Sequence, residues 1–301
     1  MAEIQPLDLN KRTVFILGAG ASNPYGLPLG VELKNKMLGN LSSRDCRQIL
    51  IKRGFETSIV EDFFESLSGT YHPTIDIFLE KKTKFRALGS YLIAYTLLPM
   101  ELHNSLFPQK DWYGHLYNVI NFEHELPHTD KITFVSLNYD RSLEHFLTKN
   151  IHYNCQDDAV QNAQSKLKRI KIIHAHGSLG PYPQIPYGAG RTVVDVLRTA
   201  ADGIRIVSDR LQDSEDFKNA QYAINEASNI VFIGFGYDPT TLKILMSLAK
   251  NLGRKRILGT AHNLKPTVIA PVTEFFNDKI EIADSSVDAY MFIRNILPIK
   301  S

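Results

Sequence analysis

A chain of 301 residues has room for one large domain or two small ones. Its apolar content of 44% is ordinary for a globular protein, and a net charge of +2 gives no strong field for nucleic acid or a membrane surface. Two cysteines, Cys46 and Cys155, make neither a disulfide framework nor a metal-type pair, which fits a reducing cytoplasm.

The N-terminus, MAEIQPLDLN, lacks the basic–apolar–small pattern of a signal peptide. The longest nearly apolar stretch, around Tyr91 to Met100, is too short to span a bilayer. Neither an internal repeat nor a low-complexity tract is present.

Thr13 to Pro28 reads TVFILGAGASNPYGLP. Val14, Phe15, Ile16 and Leu17 form an unbroken apolar run, as in a strand buried on both faces of a parallel sheet. It stops at Gly18-Ala19-Gly20-Ala21-Ser22, where missing side chains let the backbone turn and approach a ligand. A helix following this turn offers free N–H groups and a dipole to a pyrophosphate. Pro28 suits the helix start, and Leu29, Leu33 and Met37 recur at helical spacing. The dehydrogenase fingerprint wants a third glycine where Asn23 stands, so that signature fails.

Asn40 to Asp130 contains no convincing strand and reads as a helical insertion beside the sheet. Ser42 or Ser43 caps a helix that Gly54 ends. Phe63, Phe64 and Leu67 form an apolar face. Phe85, Leu88, Leu92, Tyr95 and Leu98 mark a long helix ending at Pro99, and Asp111 to Glu123 another. His103, His115, His124 and His128 match no metal-ligand spacing and read as surface or capping histidines, so no metal is expected.

Strands resume at Ile132–Val135, Ile170–Ile173, Ile230–Ile233, Arg256–Gly259 and Lys279–Ala283. Helical stretches alternate with them: Ser142–Thr148, Val193–Asp216, Ala220–Ala227, Thr240–Asn251, Thr267–Asn277 and Val287–Ile296. The alternation predicts a single α/β domain over residues 1–301, with a doubly wound parallel sheet and residues 40–130 inserted. Ligands of such sheets sit outside the carboxyl ends of the strands. Four polar clusters stand there: GAGAS (Gly18–Ser22), SLNYD (Ser136–Asp140), HAHGS (His174–Ser178) and GFGYD (Gly234–Asp238). Each alone is a plain turn or cap. The four together, in this order, predict one site.

This set resembles the sirtuin-like NAD-binding, Rossmann-like fold, and is most similar to the sirtuin-like NAD hydrolases of bacterial anti-phage defence. Their T/S-x-N-Y-D-x-x-L-E and G-F-G-x-x-D-P patterns correspond to Ser136–Glu144 and Gly234–Pro239. Three departures stand against protein deacylation. The cysteines cannot build the four-cysteine zinc module. Leu137 stands where deacylating sirtuins have Gln, and Leu29 and Gly30 follow Pro28 where they have Asp-Phe-Arg.

The resemblance implies cleavage of NAD to nicotinamide and ADP-ribose. Gly18, Ala19 and Gly20 would meet the pyrophosphate through backbone N–H groups, with Ser22 adding a hydroxyl. Asn138 would orient ribose, carboxamide or water, and Asp140 would support it. His176 would be the general base, its ordinary pKa near 6.5 suiting neutral pH; His174, pointing the same way from an extended segment, is the rival. Gly234, Gly236 and Asp238 would line the adenosine side. Tyr25 and Tyr187 are candidates to cover the nicotinamide, although packing suits each better. Alternatives are a deacylase or ADP-ribosyltransferase using the same ribose chemistry, and a sensor binding NAD or ADP-ribose without turnover. The resemblance also implies control through a homo-oligomer or a separate protein partner, a helicase-type ATPase or an Argonaute-like protein. The length and apolar aromatics of the insertion, Asn40 to Asp130, make it a candidate assembly surface or equally a buried packing layer.

Overall fold

Six strands form one parallel sheet in a computed structural model that describes residues 4–120, 130–154, 166–190, 194–206 and 213–299. They are β1 (Thr13–Leu17), β2 (Ile132–Ser136), β3 (Lys171–His174), β4 (Asn229–Ile233), β5 (Arg256–Gly259) and β6 (Ile280–Ile282). Their order is β3-β2-β1-β4-β5-β6, the doubly wound arrangement. In β1, Phe15 lies opposite Phe134 on one side and Val231 on the other. Every residue of β1 and β4 is buried, which is why Val14–Leu17 and Ile230–Ile233 are unbroken apolar runs. The strand order reverses between β1 and β4, so the crevice opens at their carboxyl ends.

Alternate residues of β1 feed different cores, as a pleated strand requires. Phe15 and Leu17 join Trp112, Tyr113, Phe146 and Phe292 on one face. Val14 and Ile16 join Phe217, Ile224, Leu242 and Phe276 on the other. The glycine turn leads into a four-residue helix, α1 (Ala19–Ser22).

A third core belongs to the helical segment: α2 (Gly30–Ser42), α3 (Arg44–Lys52), α4 (Thr57–Gly69), α5 (Ile75–Lys81) and α6 (Arg86–Leu97). Phe63, Phe78 and Phe85 pack there with ring centroids 5.2–5.7 Å apart. Burying each contributes about 1.5–3 kcal/mol, and each ring pair about 0.5–1.5 kcal/mol more. These three aromatics turn inward as a packing layer, while Tyr71, Leu102 and Phe107 of the same 40–130 insertion stay exposed. Ser43 caps α3, accepting from the Cys46 N–H at 3.2 Å, and Gly54 follows its end at φ +91°.

Several boundaries differ from expectation. Helix α2 starts at Gly30 rather than Pro28, because Glu32 reaches back to the Leu29 N–H at 2.8 Å and leaves Leu29 outside the helix and exposed. The stretch expected as one helix over Val193–Asp216 is interrupted. Helix α9 (Val194–Gly203), numbered after α7 (Trp112–Ile120) and α8 (Ser142–Asn154), stops where Ile204 pairs with Gly177. A separate helix, α10 (Glu215–Glu226), follows. Leu197, Ala200 and Ala201 of α9 pack into the helical core, not onto the sheet. Helix α11 (Pro239–Leu245) ends well before Asn251, because Gln221 Nε2 binds the Ile244 carbonyl at 2.8 Å and Ser247 Oγ at 2.9 Å. Cys155, His124 and His128 lie outside the described residues. Among the described residues no helix is long and apolar enough to cross a membrane.

Candidate functional site

At the point where strand order reverses, the loops after β1 and β4 run against each other. The Gly18 N–H donates to the Ile233 carbonyl at 3.0 Å, and the Gly20 N–H to the Gly234 carbonyl at 2.9 Å. Two donors expected for a pyrophosphate are therefore committed to β4. A Cβ on Gly18 would lie 2.6 Å from Gly234 O, and one on Gly20 would lie 2.8 Å from Gly234 Cα. These glycines let two backbones touch. Gly18 and Ala19 also line a cavity at the strand ends, whereas Gly20 and Gly234 line neither of the two cavities there.

Asn138 follows β2. Its Nδ2 donates to the Gly18 carbonyl at 2.8 Å and to Ser22 Oγ at 3.0 Å. A carbonyl only accepts, so the amide orientation is fixed by this pair. Both amide protons are used, and Oδ1 is left as the acceptor for a ligand. Ser22 thus engages Asn138 rather than standing free. Asp140 is buried below, accepting from the Ser142 N–H at 3.1 Å and from the Ser142 hydroxyl. Burial raises its pKa against the lowering hydrogen bonds of Ser142 and Ser22, with the Glu144 charge adding to the rise. Asp140 lines the smaller strand-end cavity, of about 80 Å³, together with Ser22 and Asn138.

The two histidines at the end of β3 face different surroundings. His174 is tied down: Nδ1 lies 3.1 Å from the Asn138 carbonyl, and Nε2 pairs with Glu144. Burial opposes its charge, but Glu144 outweighs that and raises its pKa to about 9. Burial likewise works against the Glu144 charge, and His174 holds that carboxyl below its usual range. His176 is 7% exposed and its Nε2 has no partner among the described residues. Gly177, at φ +71°, turns the chain after it, and the Arg205 N–H donates to the His176 carbonyl at 2.8 Å. Burial lowers the His176 pKa, opposed by the Asp76 charge and the Leu137 backbone.

The His174–Glu144 pair carries a stability prediction. A raised histidine stabilises fully below its unfolded pKa of about 6.5 and loses that contribution as pH rises through about 9. A depressed glutamate stabilises above its unfolded value of about 4.3 and loses that in acid. Glu144→Gln should therefore cost about 3–5 kcal/mol near pH 6, the penalty for orphaning a buried partner, and much less at pH 10. Urea unfolding at both pH values measures this; equal losses at each would disprove the pairing.

In the loop after β4, the Gly234 N–H donates to Thr260 Oγ1 at 2.8 Å, and the Tyr237 hydroxyl to the Thr260 carbonyl at 3.1 Å. Asp238 caps α11, accepting from the Thr241 N–H at 2.8 Å and its hydroxyl at 3.0 Å. Gly236 and Asp238 line the larger strand-end cavity, of about 240 Å³, together with Gly18, Asn138 and His176.

That cavity has a wall the motifs do not reveal. Thr74, Asp76, Ile77 and Glu80 of α5 and its cap close it from the helical segment. Asp76 Oδ1 accepts from the Tyr139 hydroxyl at 2.5 Å, which joins the segment to the SLNYD turn. Among the described residues the lining includes Asp76, Glu80 and Asp238 but no lysine or arginine. The smaller cavity shares Ala19, Gly30, Asp76, Leu137 and Asn138 with it. A larger cavity, of about 600 Å³, lies between Arg86–Tyr91 and Ile204–Ile206 and holds no strand-end cluster residue.

Tyr25 and Tyr187 are packing residues. Tyr25 is fully buried, stacked 3.9 Å from Tyr113 with its hydroxyl on Asp111, and Tyr187 stacks 4.3 Å from His145. Beside the site, the buried Arg141 guanidinium binds Glu101 and the Ile185 carbonyl, pinning the segment after β3. His103 Nδ1 lies 3.2 Å from His145 Nε2, and His115 bonds the Leu297 carbonyl. Among the described residues no group of three His, Cys, Asp or Glu side chains is placed to hold a metal ion.

Compared with known proteins, residues 132–273 match the family model of the SIR2-like domain. The match covers Asn138, Asp140, His176 and the Gly234–Asp238 loop; the Gly18 turn and the helical segment lie before it. No curated protein matches the chain.

Proposed function

The chain is sirtuin-like, carrying a SIR2-like domain that implies NAD binding, and from that premise we propose that it is an NAD glycohydrolase. The observation that carries this reading is a single cavity lined by both Asn138 and His176, a fixed amide and a buried imidazole with an unpartnered nitrogen. A non-catalytic sensor would have no use for an unpartnered base in that position.

At about 240 Å³ the cavity is smaller than the roughly 300–1,000 Å³ that holds a drug-sized ligand. It takes one end of the dinucleotide. A lining with three carboxylates and no cation suits the positively charged nicotinamide and its ribose, not the pyrophosphate. The remainder lies along the crevice past Ala19, with Gly236 and Asp238 on the opposite side. Asn138 Oδ1 accepts from a ribose hydroxyl or the attacking water. Asp140 acts through Ser22, holding Asn138 still.

Nicotinamide leaves as a neutral molecule, so no general acid is needed. Its departure exposes an oxocarbenium-like carbon, as in glycoside cleavage. His176 Nε2 takes the proton of the water that attacks it. The base works when neutral, and its pKa is lowered. Turnover should therefore hold through neutral pH and fall only in acid, below the ordinary histidine range. The test is incubation with NAD, chromatographic identification of nicotinamide and ADP-ribose, and a pH–rate profile. Stimulation by an acyl-lysine peptide would favour deacylation instead; tight NAD binding without turnover would favour a sensor.

An unrestrained NAD hydrolase would kill its cell, so the activity is held in check. We place it as a cytoplasmic effector of anti-phage defence acting by NAD depletion. Control comes through self-association or a separate partner, a helicase-type ATPase or an Argonaute-like protein. Light scattering with and without such a partner, beside cellular NAD during infection, tests this.

A further inference from the structure

The helical segment contributes three acidic or hydroxyl side chains to the cavity that holds His176, namely Thr74, Asp76 and Glu80. One of them is held in a fixed attitude. Asp76 Oδ1 accepts the Tyr139 hydroxyl at 2.5 Å, and Thr74, two residues earlier, caps the same helix, accepting from the Ile77 N–H at 3.4 Å. Asp76 lines both strand-end cavities and so stands where they meet, beside Asn138. His176, whose buried Nε2 has no partner among the described residues, lines the same cavity.

We propose that Asp76 is a positioning residue for His176, supplying from the helical segment the counter-charge for the imidazolium that forms during turnover. The chemistry rests on the NAD-hydrolysis reading; the electrostatic coupling of Asp76 to His176 across their shared cavity does not. In the reaction the bond between C1′ and the nicotinamide nitrogen breaks, and its electron pair neutralises the pyridinium. The water oxygen bonds C1′ and its proton passes to Nε2, then to solvent. Asp76 takes no proton. It offsets a cation formed inside a buried site, where an unpaired charge is costly.

The other charged groups near His176 are less suited. Asp238 is engaged in capping α11 through Thr241. Glu80, also on α5, lines the cavity with His176, but its charge is not among those acting on the ring. Arg205 touches His176 through its backbone, and its guanidinium turns to the Asp202 carbonyl at 2.7 Å. His174 is paired with Glu144. Among the charges acting on His176, Asp76 is the one that favours the protonated ring.

The test has two arms. In the unliganded full chain, NMR titration of the His176 ring is compared between wild type and Asp76→Asn, an isosteric change that can still accept from Tyr139. The midpoint should fall by about 1 unit. In NAD turnover, the same variant should lower kcat by about tenfold, part of the roughly 10²–10⁴ that a placed base contributes, and move the acid limb to lower pH. Asp76→Glu, which keeps the charge, should retain the limb, and stands in if Asp76→Asn folds poorly. An unmoved titration and an unmoved limb overturn the proposal. A wild type that never hydrolyses NAD, with a titration that still shifts, overturns the hydrolase reading and leaves the coupling intact.

Discussion

His176→Ala is expected to cut NAD turnover by about 10²–10⁴-fold while leaving the fold in place. The reason is the state of its ring. Nε2 has no partner among the described residues, so truncation orphans nothing on that side. The adjacent strand-end histidine should behave in the opposite way. His174 is bonded at both nitrogens, to Asn138 and Glu144, so its loss falls first on stability. Asn138→Ala should abolish turnover and also cost about 1–3 kcal/mol, because the Gly18 carbonyl and Ser22 lose their donor. Initial rates with NAD, beside melting curves of the three variants, separate these outcomes. Turnover that survives both His176→Ala and Asn138→Ala removes the assigned site.

Much of this arrangement is written locally. A strand buried on both faces is dominated by apolar residues, so Val14–Leu17 and Ile230–Ile233 stand out as runs, and the polar clusters after the strands mark the crevice. Ser43 and Gly54 announce their helix because capping and left-handed turns demand particular residues. What stays hidden depends on contacts between distant segments. Nothing in Thr74–Glu80 beyond an amphipathic helix shows that Asp76 and Glu80 reach the cavity; that follows from how the helical segment sits on the strand ends. Glu144 lies inside a recognisable motif, yet its partner, His174, is thirty residues away. Likewise GAGAS shows that backbone can approach something closely, but not that Gly18 and Gly20 spend their N–H groups on β4.

The two glycines of the GFGYD turn separate those meanings experimentally. Gly234 has φ +58°, and a Cβ there would stand 2.0 Å from the Ala21 nitrogen and 2.2 Å from the Gly20 carbonyl carbon. Both neighbours are backbone of the tightly bonded loop after β1, so neither can swing aside. Gly234→Ala combines a left-handed strain with a main-chain clash and should cost more than about 4 kcal/mol. It should lower the yield of folded protein before any question of activity arises. Gly236, two residues on, has no atom within 4 Å of its would-be Cβ and faces the cavity that holds His176. Gly236→Leu should shift stability by no more than about 1 kcal/mol. Its side chain would nevertheless occupy space the substrate needs, raising KM for NAD at least tenfold, about 1.4 kcal/mol of lost binding. Chemical unfolding and steady-state kinetics on the pair decide the matter. If Gly236→Leu folds normally and binds NAD as tightly as the wild type, the substrate does not enter this cavity, and the chemistry assigned to His176 loses its location.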